Sequence, residues 1–136
     1  KAGADMISFH LNAVPDPVPV LEHIRSCGVL AGLTINPDIP VDSLFPYLEH
    51  CDFVMLMAVY AGFGGQSFIV DTYQRISELK AEISRQGLNI PIEVDGGVSS
   101  ANSAELAEAG ATILVAGSAV FKAADPAGEI SRIRGC

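Results

Sequence analysis

Apolar residues in this chain come in short β-branched runs, and each run is followed by apolar positions at helical spacing. Met6 to His10 is the first run, and Pro17 to Cys27 follows as a helix with Val20, Leu21 and Ile24 on one face and Gly28 as its stop. Leu30 to Ile35 reads as a second strand. Val41, Leu44, Phe45 and Leu48 then fall at i, i+3, i+4 and i+7, one face of a helix that Asp38 or Asp42 helps to start. Phe53 to Val59 is apolar throughout and reads as the third strand. Tyr73, Ile76, Leu79 and Ile83 mark a helix closed near Gly87, and Ile92 to Val94 is a fourth strand leading into Asp95-Gly96-Gly97. Asn102 and Glu105 have the spacing of a capping box, opening a helix that carries Leu106 and ends at Gly110. Thr112 to Ala116 is the fifth strand, followed by Gly117-Ser118 and a final helix with Ile130 and Ile133.

Strands that are apolar on both faces and separated by helices predict a parallel α/β sheet with helical cover. The helix-to-strand junction Ala2-Gly3-Ala4-Asp5 returns as Ala109-Gly110-Ala111-Thr112, and no linker or charge block divides the chain, so residues 1–136 read as one domain. Five βα units fit two architectures. One is an open doubly wound sheet. The other is part of a TIM (β/α)8 barrel, which needs at least about 200 residues. Both place the active site at the carboxyl ends of the strands. The chain opens on Lys1, and KAGAD reads as the end of a helix, which suggests a piece of a longer protein.

Composition narrows the function. Hydrophobic residues make up 49% and charged residues 18% of 136, which excludes disorder. A net charge of −8 argues against nucleic acid as a partner. A small phosphate ligand stays open, because backbone N–H groups hold phosphate without Lys or Arg. No apolar run approaches the roughly 18 residues of a membrane span, and no signal-peptide pattern opens the chain. Cys27, Cys51 and Cys136 lie far apart with no CxxC, so they read as free thiols in a reducing, cytoplasmic setting.

Three strand ends carry unusual residues. Gly62-Phe63-Gly64-Gly65-Gln66 follows the third strand, and its glycines let backbone N–H groups approach an anion. Taken alone, the segment is equally a flexible turn. Asp95, backed by Gly96 and Gly97, ends the fourth strand, where a carboxylate meets substrate in barrel enzymes; alone it is also a turn or cap residue. Gly117 and Ser118 end the fifth strand, where the N-terminus of the final helix would face a phosphate. Together they fit a sugar-phosphate site. His10 is expected to face the same mouth, although a strand-end His is more often structural. Met57 is expected beside the site and Met55 in the core. His23 and His50 fall on helix surfaces.

At these residues the chain resembles the ribulose-phosphate 3-epimerase family. The segments that carry the resemblance are Phe9–Ala13 (FHLNA), Gly32–Pro40 (GLTINPDIP), Met57–Phe68 (MAVYAGFGGQSF), Ile92–Val98 (IEVDGGV) and Val115–Phe121 (VAGSAVF), in the family's order. The resemblance implies a (β/α)8 barrel that interconverts D-ribulose 5-phosphate and D-xylulose 5-phosphate through a metal-stabilised enediolate. One Asp takes the C3 proton from one face and a second returns it from the other. It implies that Asp95 is one of those carboxylates and also a ligand of a divalent metal ion (Zn, Mn or Fe(II)). Gly62, Phe63, Gly64, Gly65, Gly96, Gly97, Gly117 and Ser118 would line the substrate, chiefly at its phosphate, and Met57 would sit beside the reacting carbons. A homo-oligomer is the family's common state.

The match begins at the family's fourth strand. The first three carry the second catalytic Asp, two metal-binding His residues and a Ser near the substrate. Asn12 stands where the family often has Glu. Ala58, Tyr60 and Ala61 replace a Thr, an acidic residue or Asn, and a Pro before the glycine loop. These changes keep two alternatives open: a related allulose-6-phosphate type 3-epimerase, and a catalytically inactive phosphate-binding fragment. A barrel synthase or lyase ranks lowest, since none of Lys1, Lys80 and Lys122 ends a strand.

Overall fold

The computed structural model describes residues 2–62 and 66–135. Strands β1 (Met6–His10), β2 (Leu30–Ile35), β3 (Phe53–Met57), β4 (Ile92–Asp95) and β5 (Ile113–Val115) form one sheet in the order β1-β2-β3-β4-β5, every pair parallel. That order decides between the two architectures. A doubly wound sheet reverses its strand order at a switch point, and this sheet does not. Sequential right-handed crossovers put every connecting helix on one face and leave the other as a barrel interior.

The side chains divide accordingly. Leu33, Ile35, Val54, Leu56, Ala58, Ile92 and Val94 share one face and pack with Leu21, Leu44, Leu48, Ile76, Leu79 and Leu106 from the helical layer. The opposite face carries rows set by the register. His10, Thr34, Met55, Glu93 and Ile113 lie side by side, and Met57, Asp95 and Val115 form the next row toward the carboxyl ends. Phe53 fills the opposite end of this face. It pairs with Gly32, where a Cβ would lie 2.6 Å from its ring, so the missing side chain is what lets the ring lie flat across β2.

Helices α1 (Val18–Ser26), α2 (Thr72–Arg85), α3 (Ser103–Ala109), α4 (Ser118–Phe121) and α5 (Pro126–Arg134) cover the sheet with a 3₁₀ helix at Val41–His50. The last of these was expected as an ordinary helical face. Val41, Leu44 and Leu48 are buried as that spacing requires, but Pro46 has no N–H for the carbonyl of Asp42, and the segment winds as 3₁₀. Neither Asp38 nor Asp42 caps it: Pro40 precedes it with no side-chain cap. The expected capping box of α3 is also absent. The Asn102 amide turns back into the preceding loop, accepting from Ser99 N–H at 3.0 Å and donating to the Gly97 carbonyl at 3.0 Å. Gly117-Ser118 opens the separate four-residue α4 instead of the final helix. Asp125-Pro126 restarts the chain as α5, with Asp125 Oδ1 accepting from Gly128 N–H at 3.1 Å.

One ion pair ties the helical layer to the sheet. Arg25 of α1 donates from Nη2 to Asp52 Oδ1 at 2.7 Å and from Nε to Oδ2 at 3.1 Å, while Oδ2 accepts from Ala31 N–H at 2.9 Å. The Arg25 guanidinium holds the Asp52 carboxyl below the usual carboxylate range. A carboxyl depressed in the folded state stabilises above its unfolded pKa of about 3.9 and loses that contribution as pH falls through the folded value. The melting temperature is therefore expected to drop below about pH 4, and Asp52→Asn to flatten that acid limb. At neutral pH the variant should lose on the order of 1 kcal/mol, since Arg25 is 42% exposed and water screens the pair. Thermal melts of both proteins from pH 7 to pH 3 check this. Cys51, buried beneath the same junction, has its thiol pushed up to about 12 by burial and is chemically quiet.

Candidate active site

The carboxyl ends of β3, β4 and β5 open into one cavity of about 560 Å³. Among the expected site residues Met57, Gly62, Asp95, Gly96, Gly97, Gly117 and Ser118 all line it, and His10 joins them from the end of β1. Phe63, Gly64 and Gly65 lie outside the described residues. The alternation of a strand explains the central pair: Met57 of β3 and Asp95 of β4 are register partners on the interior face.

Met55 is a correction. It was expected in the core, yet it lines the cavity with Met57. Residues two apart on a strand share a face, so both methionines point inward and the residue between them, Leu56, is the one in the core. The same rule puts Glu93 on the face of Asp95, one row deeper. No sequence reading assigned it a role, although the alternation within Glu93-Val94-Asp95 was the available signal.

Burial raises the Asp95 carboxyl above its ordinary value, against a smaller lowering by the Gly96 backbone, and no cation pairs with it among the described residues. Glu93 is raised for the same reason, with a further contribution from the Asp95 charge. Asp95 is thus a half-buried, comparatively basic carboxylate facing open space. Its own carbonyl accepts from Ala58 N–H at 2.8 Å, and the Ala58 carbonyl accepts from Ile69 N–H at 2.9 Å, which knits the end of β4 to the β3–α2 loop.

The two glycines after Asp95 are required by space and by backbone angle. Gly96 has φ +110° and Gly97 φ +66°. A Cβ on Gly96 would meet Val59 Cγ2 at 2.5 Å, and one on Gly97 would meet Phe68 Cβ at 2.9 Å. The β4–α3 turn therefore lies flush against the β3–α2 loop, and at Gly96 and Gly97 its backbone reaches the cavity with no side chain of its own in the way.

A larger groove of about 680 Å³ lies between the 3₁₀ helix and α2. Its lining carries Asp38, Asp42, Glu78 and Glu82 against Arg75 and Arg85, a net acidic set, and it belongs to the helical layer instead of the strand ends. Of the described lysines, neither Lys80 nor Lys122 lines the strand-end cavity. No helix among the described residues is long and apolar enough to cross a membrane.

Comparison with known proteins gives the same picture. Similar solved structures include a 3-hexulose-6-phosphate synthase (TM-score 0.72, 20% identity, 98% of this chain and 62% of that one). A mutant tryptophan synthase alpha-subunit from Pyrococcus furiosus is also similar (TM-score 0.70, 20% identity, 97% of this chain and 55% of that one). At such identity they speak for the fold, a TIM barrel of which about five βα units are present. Among curated relatives, the ribulose-phosphate 3-epimerase of Synechocystis sp. is 45% identical over 98% of this chain and 59% of its own length. That of Bacillus subtilis is 43% identical over 99% of this chain and 63% of its own. The chain thus spans about three-fifths of the length of these relatives. The model of the "Ribulose-phosphate 3 epimerase family" matches residues 1–121, and the chain belongs to that family.

Proposed function

We propose that this chain supplies one proton carrier and the phosphate-holding side of a sugar-phosphate 3-epimerase acting on D-ribulose 5-phosphate and D-xylulose 5-phosphate. The observation that carries the reading is Asp95: a half-buried carboxylate without a cationic partner among the described residues, at the end of β4, in a cavity it shares with four glycines, two methionines, His10, Tyr60 and Gln66. Inverting a carbon beside a carbonyl takes two proton carriers on opposite faces. Asp95 would take the C3 proton from one face. The second carrier, returning a proton from the other, would stand on the βα units that complete the barrel. Gly62, Gly96, Gly97, Gly117 and Ser118 would hold the phosphate through backbone N–H groups, and Met57 would exclude water beside the reacting carbons.

Asp95 fits as one ligand of a divalent ion, because a cation offsets the burial that raises its carboxyl. Among the described residues no three His, Cys, Asp or Glu side chains converge on one point, so the other ligands of a Zn, Mn or Fe(II) ion would come from the completing units. When bound, such an ion supplies Lewis-acid stabilisation of the charge that develops on the carbonyl oxygen. A cytoplasmic homo-oligomer is the setting that goes with this reading. The same shortfall of ligands favours a second reading for the chain alone, a phosphate-binding module without turnover.

Proton NMR of D-ribulose 5-phosphate in D₂O with Zn²⁺ tests both. The chain alone is expected to broaden the ligand signals without exchanging C3–H. Added together with the N-terminal part of a relative, it is expected to exchange that proton. Exchange by the chain alone would contradict the placement of the second carrier outside it, and no broadening would remove the phosphate site.

A further inference from the structure

The β3–α2 loop is tied down by side chains that the phosphate-site reading does not use. Asn36 follows β2 directly, and its Oδ1 accepts from the N–H of Ala61, the residue before Gly62, at 3.1 Å. The Asn36 carbonyl accepts from Arg75 Nη2 at 3.0 Å and from Ile39 N–H at 3.1 Å. The same Arg75 nitrogen also donates to the Ile39 carbonyl at 2.8 Å. Arg75 comes from the first turn of α2, the helix that the loop leads into. It thereby fastens the Asn36 turn to the far side of the loop. Across the loop Gln66 donates from Nε2 to the Tyr60 carbonyl at 2.6 Å and accepts at Oε1 from Tyr60 N–H at 3.2 Å.

The consequence concerns which N–H groups face the cavity. With both polar groups of Tyr60 and the N–H of Ala61 committed to side chains, the next N–H of the loop is that of Gly62, and it has no acceptor among the described residues. A glycine-rich arm left free would lose backbone entropy each time it closed on an anion. We propose that Asn36, held in turn by Arg75, is a positioning residue that fixes the Ala61 peptide and so presents the Gly62 N–H to the phosphate of the ligand. This rests on the phosphate-site reading of the cavity. Arg75 does not line that cavity, so it acts through Asn36.

The test is a titration of inorganic phosphate into the ¹⁵N-labelled chain, following the amides of Gly62, Gly97 and Ser118, with hydrogen exchange at Ala61 measured in parallel. Asn36→Ala frees roughly one residue of backbone and is expected to weaken phosphate about tenfold. It should also speed Ala61 exchange while the amides of β3 and β4 keep their positions. Asn36→Asp keeps the accepting oxygen and is expected to restore slow exchange at Ala61, which a general loss of folding would not allow. Unchanged phosphate affinity in Asn36→Ala, with Ala61 exchange accelerated, overturns the inference and leaves the phosphate site standing. Wild-type amides that do not respond to phosphate overturn the phosphate-site reading, and the inference with it.

Discussion

Replacing Asp95 by Asn is expected to slow proton exchange at C3 of ribulose 5-phosphate in the completed barrel by about 10²–10⁴-fold, the range for removing one general acid–base group. Asn has the shape of Asp and keeps its place beside Met57 in the sheet, but its amide takes no proton at working pH. The variant also removes a carboxylate that burial disfavours, so the melting temperature should hold or rise while exchange is lost. That opposition of signs separates a catalytic role from a structural one. Deuterium incorporation at C3, read beside a thermal melt, measures both. Exchange surviving at more than a tenth of the wild-type rate would move the proton carrier off Asp95.

Gly96→Ala is expected to be the most damaging small substitution near the site. A side chain at φ +110° lies outside the conformations that L-residues adopt readily, at a cost of about 1–3 kcal/mol. The added methyl would also overlap Val59 Cγ2 at 2.5 Å and crowd the Val59 backbone nitrogen at 3.0 Å, and overpacking of this kind costs about 1–3 kcal/mol more. Backbone on one side of the contact gives little room for relief. Chemical denaturation should show the loss, and phosphate binding should weaken with it, because the turn that would slide is the one facing the ligand. Gly117→Ala is the matched control. It has open space around its Cβ position and should leave stability nearly unchanged.

The βα alternation was legible because the strands bury one face under helices, and β3 and β5 carry apolar side chains on the other as well. Phe53–Met57 therefore stands out as an unbroken apolar run, and Leu30–Ile35 as one interrupted only by Gly32 and Thr34. The choice between an open sheet and a barrel was not legible in local periodicity, since it depends on strand order, a property of pairing between distant segments; it was legible only in the motif segments that carry the family resemblance, which implied the barrel. Asp95 and its glycines were readable because a charge followed by two residues without side chains is unusual after an apolar strand. Asn36 and Gln66 were not, because an amide in a loop looks the same whether it faces water or grips a backbone 25 residues away, as Asn36 does with Ala61. Met55 was misplaced by misapplying the two-residue alternation that also pairs Glu93 with Asp95. The helix at Val41–His50 was right in its buried face and wrong in its winding, which one proline sets.

Both outer strands of the sheet, β1 and β5, keep one side without a neighbour among the described strands, and every strand points the same way. That geometry would permit polymer growth. The free side of β1 on one copy and the free side of β5 on another match in direction, and joining them leaves a fresh side of each kind at the two ends. Contacts of this head-to-tail sort build fibres when they do not close into a ring. Two copies bring ten strands where the closed interior of this architecture takes eight. Only a piece of three strands ends the growth by closing the circle. Dispersal of the chain in solution, more than turnover, would then be the earliest sign that its missing arc has been supplied.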